Sequence, residues 1–197
     1  MNVAQYMQRN AVTALPTASL ETVRKVMDEH GFGLLLVASE EGLLKGFVTR
    51  ASLKDVTDWA APVEGTCHPA KFAVSPEDTL EKAALILLEN RLVLLPVTTD
   101  EGHLVGVLTQ SEVLRGLAGA LGIGLEGTRL KVQLRPDSDD LFRVLDTLRE
   151  HEVRLVSLAG GGSEGDYDEA ILRIQGAADR EALCEALEAR LREGNDE

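Results

Sequence analysis

Apolar positions along this chain fall into a helical rhythm and a strand rhythm, and the pair of rhythms occurs twice. Leu20, Val23, Val26 and Met27 recur at the three- and four-residue spacing of one helix face, as far as the breaker Gly31. Ser19 stands at the N-cap position, and Pro16 disfavours helix just before it. Leu34 to Val37 is an apolar run of buried-strand length. The acidic turn Glu40-Glu41-Gly42 joins it to Leu44 to Val48, and the two runs read as a β-hairpin. The same order returns downstream with Thr79 as cap, then Leu80, Ala83, Ala84, Leu87 and Leu88 on a helix face. Leu94 to Val97, Asp100-Glu101-Gly102 and Leu104 to Leu108 supply the second hairpin. Short apolar stretches, Ala11 to Leu15 and Phe72 to Val74, predict a brief strand before each proline. Further helices are expected to begin near Ser52 and Ser111.

A shift of 60 residues aligns Val3 to Val56 with Val63 to Gly116 without a gap, with 13 identities in 54 positions. They include Pro16/Pro76, Leu20/Leu80, Leu34/Leu94, Val37/Val97, Gly42/Gly102, Gly46/Gly106 and Thr49/Thr109. The repeat unit is strand, helix, hairpin, helix. At about 55 residues it is too small to bury a large core, so the two copies are expected to pack together as one module.

Beyond the second copy the pattern changes. Gly116 to Gly127 contains five glycines and reads as a helix end followed by a linker. Arg129 to Arg135 alternates polar and apolar residues as a half-buried strand does, and Pro136 closes it. A helix follows with Leu141, Val144, Leu145 and Leu148 on one side. Val153 to Leu158 and Ala170 to Ile174 read as strands, Gly160 to Gly165 as a mobile hairpin turn, and Asp179 to Arg192 as a final helix. The order βαββα is one strand short of the ferredoxin-like pattern.

Pro16-Thr-Ala-Ser-Leu-Glu21, Leu34 to Val37 and Gly46-Phe-Val-Thr49 resemble a cystathionine-β-synthase (CBS) domain. So do Val74-Ser-Pro-Glu-Asp-Thr-Leu-Glu81, Leu94-Leu-Pro-Val97 and Gly106-Val-Leu-Thr109. The last part resembles an ACT domain, and the whole architecture is similar to acetoin-utilisation AcuB-like proteins. The resemblance implies an α/β (α+β) fold: a tandem CBS repeat pair, the Bateman-type module, followed by a ferredoxin-like βαββα ACT-type domain. Repeat 1 is placed at 1–60, repeat 2 at 61–122, a linker at 123–128 and the ACT-like domain at 129–197. It further implies a regulatory module whose clefts bind adenosine nucleotides and which forms a homodimer.

In such domains a Gly-x-x-Thr/Ser-x-x-Asp segment sets a hydroxyl and a carboxylate one turn apart to meet ribose or phosphate. The first copy has Gly46, Thr49 and Ser52, without the carboxylate; the second has Gly106, Thr109 and Glu112. The ligand-binding candidates are therefore Thr109 and Glu112, then Thr49 and Ser52. Each hydroxyl has the competing reading of a helix cap that holds no ligand. Cations for phosphate are few: Arg9, Arg50, Lys71, Arg91 and Arg115. The ACT-like loop departs from its family, because Asp137, Asp139 and Asp140 stand where an effector carboxylate would dock; this unit is expected to pair sheets between subunits instead.

Charge narrows the partners. The chain has 33 acidic and 20 basic residues, net −13, with 18 acidic against 10 basic side chains from residue 126 onward. That balance argues against nucleic acid and against an anionic membrane surface. No apolar run approaches a membrane span, and Met1 to Asn10 lacks the pattern of a signal peptide, so a cytoplasmic protein is expected. Cys67 and Cys184 have neither disulfide nor zinc spacing. His30, His68, His103 and His151 lack metal-ligand spacing and read as surface or capping residues, while Glu40-Glu41 and Asp139-Asp140 read as solvated charge. Trp59 reads as an anchor for the inter-repeat linker. No catalytic residues and no metal are expected, and no cofactor is required. The resulting expectation is a non-catalytic sensor that binds AMP, ADP, ATP, S-adenosylmethionine or NAD and signals through a dimer to an unidentified protein partner; the AcuB resemblance implies acetoin or carbon metabolism as the setting. The alternative is a ligand-independent dimeric scaffold with degenerate sites.

Overall fold

The computed structural model describes residues 1–164, 166–176 and 179–193. The chain forms two compact units, one from Met1 to Gly116 and one from Leu117 onward.

In the first unit, β1 (Thr13–Ala14), α1 (Leu20–His30), β2 (Leu34–Ala38) and β3 (Leu44–Thr49) form one half. The other half contains α2 (Leu80–Glu89), β4 (Leu94–Thr98), β5 (Leu104–Thr109) and the start of α3 (Gln110–Ala120). β1 lies parallel to β2, and each hairpin is antiparallel with a register shift at the same place, Val37/Ala38 and Val97/Thr98. The caps follow the sequence: Thr22 N–H donates to Ser19 Oγ and Lys82 N–H to Thr79 Oγ1, each at 3.2 Å.

Two expected elements differ. Phe72 to Val74 is reduced to a single parallel bridge between Val74 and Val97. No helix begins near Ser52; residues 50–55 form successive turns, with Leu53 N–H donating to Arg50 O and Lys54 N–H to Ala51 O. Ser52 is the local cause. Its hydroxyl donates to Thr49 O at 2.8 Å and accepts from Thr49 N–H at 3.0 Å, closing a turn that competes with helix growth.

The halves exchange their leading segments. Val3 N–H donates to Asp78 O and Ala4 N–H to Pro76 O; sixty residues later Val63 N–H donates to Ala18 O and Glu64 N–H to Pro16 O. Gln8 bridges Val107 as His68 bridges Phe47. Residues 1–8 thus complete the second half, and 61–68 complete the first. Val3 and Val63 are both fully buried, each worth about 2 kcal/mol in removed apolar surface. The hairpins also meet, Leu44 N–H donating to Gly102 O and Leu104 N–H to Gly42 O. Trp59 packs on the core of the first half, takes Glu21 N–H on its carbonyl, and carries the Arg24 guanidinium 4.7 Å from its ring centre.

In the second unit, β6 (Thr128–Leu134), α4 (Asp140–Glu150), β7 (Arg154–Glu164), β8 (Tyr167–Gln175) and α5 (Arg180–Glu193) follow the order βαββα. β8 lies antiparallel between β6 and β7. Val132, Leu172 and Ile174 of the sheet pack with Val144 and Leu148 of α4 and Leu183 and Leu187 of α5. The glycine run is not the expected turn. Gly160, Gly162, Ser163 and Glu164 pair with Ala170, Glu169, Asp168 and Tyr167, because β8 extends far enough to give them partners and a bulge absorbs Gly161. Gly165, the remainder of that expected turn, lies outside the described residues.

The glycine-rich stretch before β6 is tied into this unit. Ser157 Oγ donates to Leu121 O, Arg173 to Leu125 O, and Gln175 to Glu126 O.

Candidate ligand-binding clefts

The exchange of leading segments builds two clefts in the first unit, whose linings correspond at most positions under the 60-residue shift. The first, of about 410 Å³, is lined by Gln8, Asn10, Val12, Gly31 to Leu34, Leu36, Val93, Leu94, Val107 and Thr109. The second, of about 470 Å³, is lined by Phe47, His68 to Phe72, Arg91, Leu92 and Pro96, with Leu34, Leu36, Val93 and Leu94 shared. Both volumes suit a small organic ligand.

Thr109 closes β5 and opens α3. Its hydroxyl accepts Ser111 N–H at 3.2 Å and donates to Glu112 Oε2, which also takes Thr109 N–H at 3.1 Å. This is a reciprocal cap, in which the third helical residue reaches back to the residue before the helix. Glu112 Oε1 accepts from Gln8 Nε2 at 2.9 Å and from Arg115 Nη2 at 3.1 Å. Glu112 is only 3% exposed. Burial pushes its pKa up, but hydrogen bonds from the Thr109 hydroxyl, the Gln8 amide and the Thr109 backbone outweigh that and hold it below the ordinary glutamate value.

The structure thus brings Thr109 to the wall of the first cleft. Glu112 lies behind the wall and connects to the cleft through Gln8. Thr49 and Ser52 occupy the equivalent position of the first half, but their side-chain hydrogen bonds stay within this pair and they do not line the second cleft.

The five candidate cations separate clearly. Arg9 donates to Ala4 O, Arg115 to Glu112, and Arg50 to Asp28 and to the carbonyls of Met27 and Phe32 at the end of α1. Lys71 and Arg91 line the second cleft. Gln8 and His68 escape a sequence reading, since each serves the half to which it does not belong in sequence. The only signal available was their equivalence under the 60-residue shift. His68 is exposed, in keeping with its reading as a surface residue, and it also lines the cleft, with its ring 5.8 Å from that of Phe47.

In the second unit the acidic loop is not merely solvated charge. Asp140 is 2% exposed and accepts Arg135 N–H and Arg135 Nε, both at 2.9 Å. The Arg135 guanidinium outweighs burial and holds the Asp140 pKa at about 2. Asp139 precedes the helix without a side-chain cap bond, and Asp137 takes a left-handed backbone (φ 55°).

Among the described residues no group of three or more His, Cys, Asp and Glu is placed to hold a metal, and no helix is long and apolar enough to cross a membrane.

A duplicated strand-helix-hairpin unit with exchanged leading segments and two symmetry-related clefts defines a tandem ligand-cleft module. The CBS domain family matches residues 3–57 and 67–119, and the chain belongs to that family as a tandem pair. Inosine-5'-monophosphate dehydrogenase of Korarchaeum cryptofilum is 30% identical over 106 residues, 53% of this chain but 22% of that enzyme. The chain therefore spans about a fifth of that relative's length. A CBS domain pair/ACT domain protein from Thermotoga maritima superposes with a TM-score of 0.57 at 26% identity, over 61% of this chain and 99% of that one. CBSX2 of Arabidopsis thaliana in complex with AMP gives 0.56 at 24% identity, over 60% and 96%. A Vibrio cholerae protein assigned to acetoin utilization, AcuB, gives 0.56 at 21%, over 62% and 94%. The last two show the shared fold.

Proposed function

We propose that the chain is a regulatory sensor whose first cleft takes an adenosine-type nucleotide. The observation that carries this is the Thr109–Glu112–Gln8 network at that cleft. With the Gln8 amide N–H committed to Glu112, its carbonyl oxygen is the acceptor offered to a ribose hydroxyl, and Thr109 supplies a second polar contact. CBSX2, of the same fold, binds AMP. In this reading the ligand shifts the population of two arrangements of a homodimer and so alters contacts with a protein partner. Leu85, Leu88 and Leu114, exposed on α2 and α3, are the apolar residues such a dimer would cover. The part from about residue 129 acts as an ACT-like unit that pairs its sheet with that of a second copy, and similarity to AcuB points to acetoin metabolism as the setting. The chain itself performs no chemistry in this reading.

The test is a thermal-shift panel of AMP, ADP, ATP, S-adenosylmethionine and NAD at fixed protein concentration, since dimerisation itself moves the midpoint. One adenosine ligand should raise the midpoint, and Gln8→Ala should remove the rise. A second reading, a ligand-independent scaffold, is favoured by the internal satisfaction of Thr49, Ser52, Thr109 and Glu112. A flat response across the panel would end the first reading and favour this one.

A further inference from the structure

The two clefts descend from one repeat, so each position in one is an internal control for the other. Lys71 stands where the first cleft has Ala11, and Arg91 where it has Gly31. His68 replaces Gln8, and Phe47 and Phe72 replace Val107 and Val12. The second cleft is thereby cationic and aromatic, and its lining contains no side-chain carboxylate or hydroxyl, in a chain with 33 acidic residues.

Three further observations converge there. Lys71 and Arg91, like Lys45 and Lys54 of the same unit, make no side-chain hydrogen bond or ion pair among the described residues, and of these four only Lys71 and Arg91 line the cleft, while Arg24, Lys25, Arg50, Lys82 and Arg115 are each paired with a carboxylate. Arg91 holds a left-handed backbone (φ 52°) at the position where its counterpart is glycine, Gly31 (φ 69°). A side chain is strained in that conformation, so folding alone favours glycine at this position. Phe72 and Val93 stand exposed among the lining residues, leaving apolar surface uncovered.

We infer that the second cleft binds an organic anion with a flat apolar body and no ribose, its charge met by Lys71 and Arg91 and its body held by Phe47, Phe72 and Pro96. A vicinal diol would find no side-chain carboxylate or hydroxyl to accept from it. A carboxylate or phosphate would find two uncommitted cations, each able to form a charge-assisted hydrogen bond. The inference is independent of whether the Thr109 cleft takes a nucleotide.

The experiment is isothermal titration of the full chain with 1-naphthoate, 1-naphthyl phosphate, the neutral 1-naphthamide and AMP. At least one of the two anions should bind about tenfold or more tightly than the amide, as a charge-assisted contact requires. The preferred anion distinguishes a carboxylate from a phosphate ligand. The double substitution Lys71→Ala with Arg91→Gly, which gives this cleft the residues of the other, should abolish the preference without lowering the melting temperature. Lys71→Gln alone, at an exposed position, should weaken the anion several-fold and covers the case in which the double variant misfolds. The inference is overturned if the anions bind no better than the amide, if their preference survives both variants, or if AMP displaces them one for one. Anion preference without any AMP binding would uphold it while removing AMP as the ligand of the other cleft.

Discussion

Glu112 holds together four donors at a helix start: the Thr109 N–H and hydroxyl, the Gln8 amide and the Arg115 guanidinium. Its replacement by alanine strands the buried ones, so Glu112→Ala should cost about 1–3 kcal/mol of apo stability, measured by urea unfolding. A nucleotide assay on that variant must therefore be read against its own lower melting point. The sequence placed the hydroxyl and carboxylate one turn apart, but not the fact that the turn itself uses them. Asp140 carries a second residue-scale prediction. Its pKa lies at about 2 against an ordinary 3.8, worth about 2 kcal/mol of folding stability. The folded-state value is lowered, so this stability is fully present above about pH 4 and is lost as pH falls toward 2. Asp140→Asn should be less stable than the parent by about that amount at neutral pH, and the gap should close between pH 4 and 2 in denaturant titrations. Asp139 and Asp140 look alike in sequence. Only the fold of residues 134–140, which returns Arg135 to Asp140, buries one of them.

At the scale of elements, the close approach of each hairpin to the exchanged segment rests on a glycine. A Cβ on Gly46 would lie 2.1 Å from His68 O, and one on Gly106 would lie 2.8 Å from Gln8 O. Gly46 also has φ 150°, a conformation L-residues rarely adopt. Both Gly46→Ala and Gly106→Ala should destabilise the module by overpacking against backbone, Gly46→Ala by about 3 kcal/mol or more and Gly106→Ala by less, since the approach at Gly46 is closer and its backbone conformation adds strain. Chemical denaturation of the two variants side by side checks the order. The helices α1, α2, α4 and α5 were legible because caps and apolar spacing are local. The absent helix after Thr49 and the extension of β7 through Gly160 to Glu164 were not. The first depends on a serine side chain that competes with the backbone, and the second on the length of a partner strand.

For the whole molecule, the covalent repeat and the folded half do not coincide. Each half takes its first eight residues from the other copy, so a fragment 1–60 lacks Val63 from its core and leaves the partners of residues 1–8 behind. Such a fragment should show no cooperative unfolding in circular dichroism, alone or at concentrations where the intact module melts sharply. Mixed with fragment 61–122, it should regain a transition, because the two pieces together restore every exchanged bond.

By itself the sequence determined that this protein contains a duplication, that each copy alternates helix and hairpin, and that a different βαββα pattern follows. Those features rest on interactions between residues near in the chain, which spacing reports directly. Only the tertiary structure decided which residues form each cleft, that Glu112 lies behind its wall, and that Lys71 and Arg91 face the other. The reason is the exchange of residues 1–8 and 61–68: it places groups about a hundred residues apart, such as Gln8 and Glu112, at hydrogen-bond distance, and no local pattern encodes such a contact.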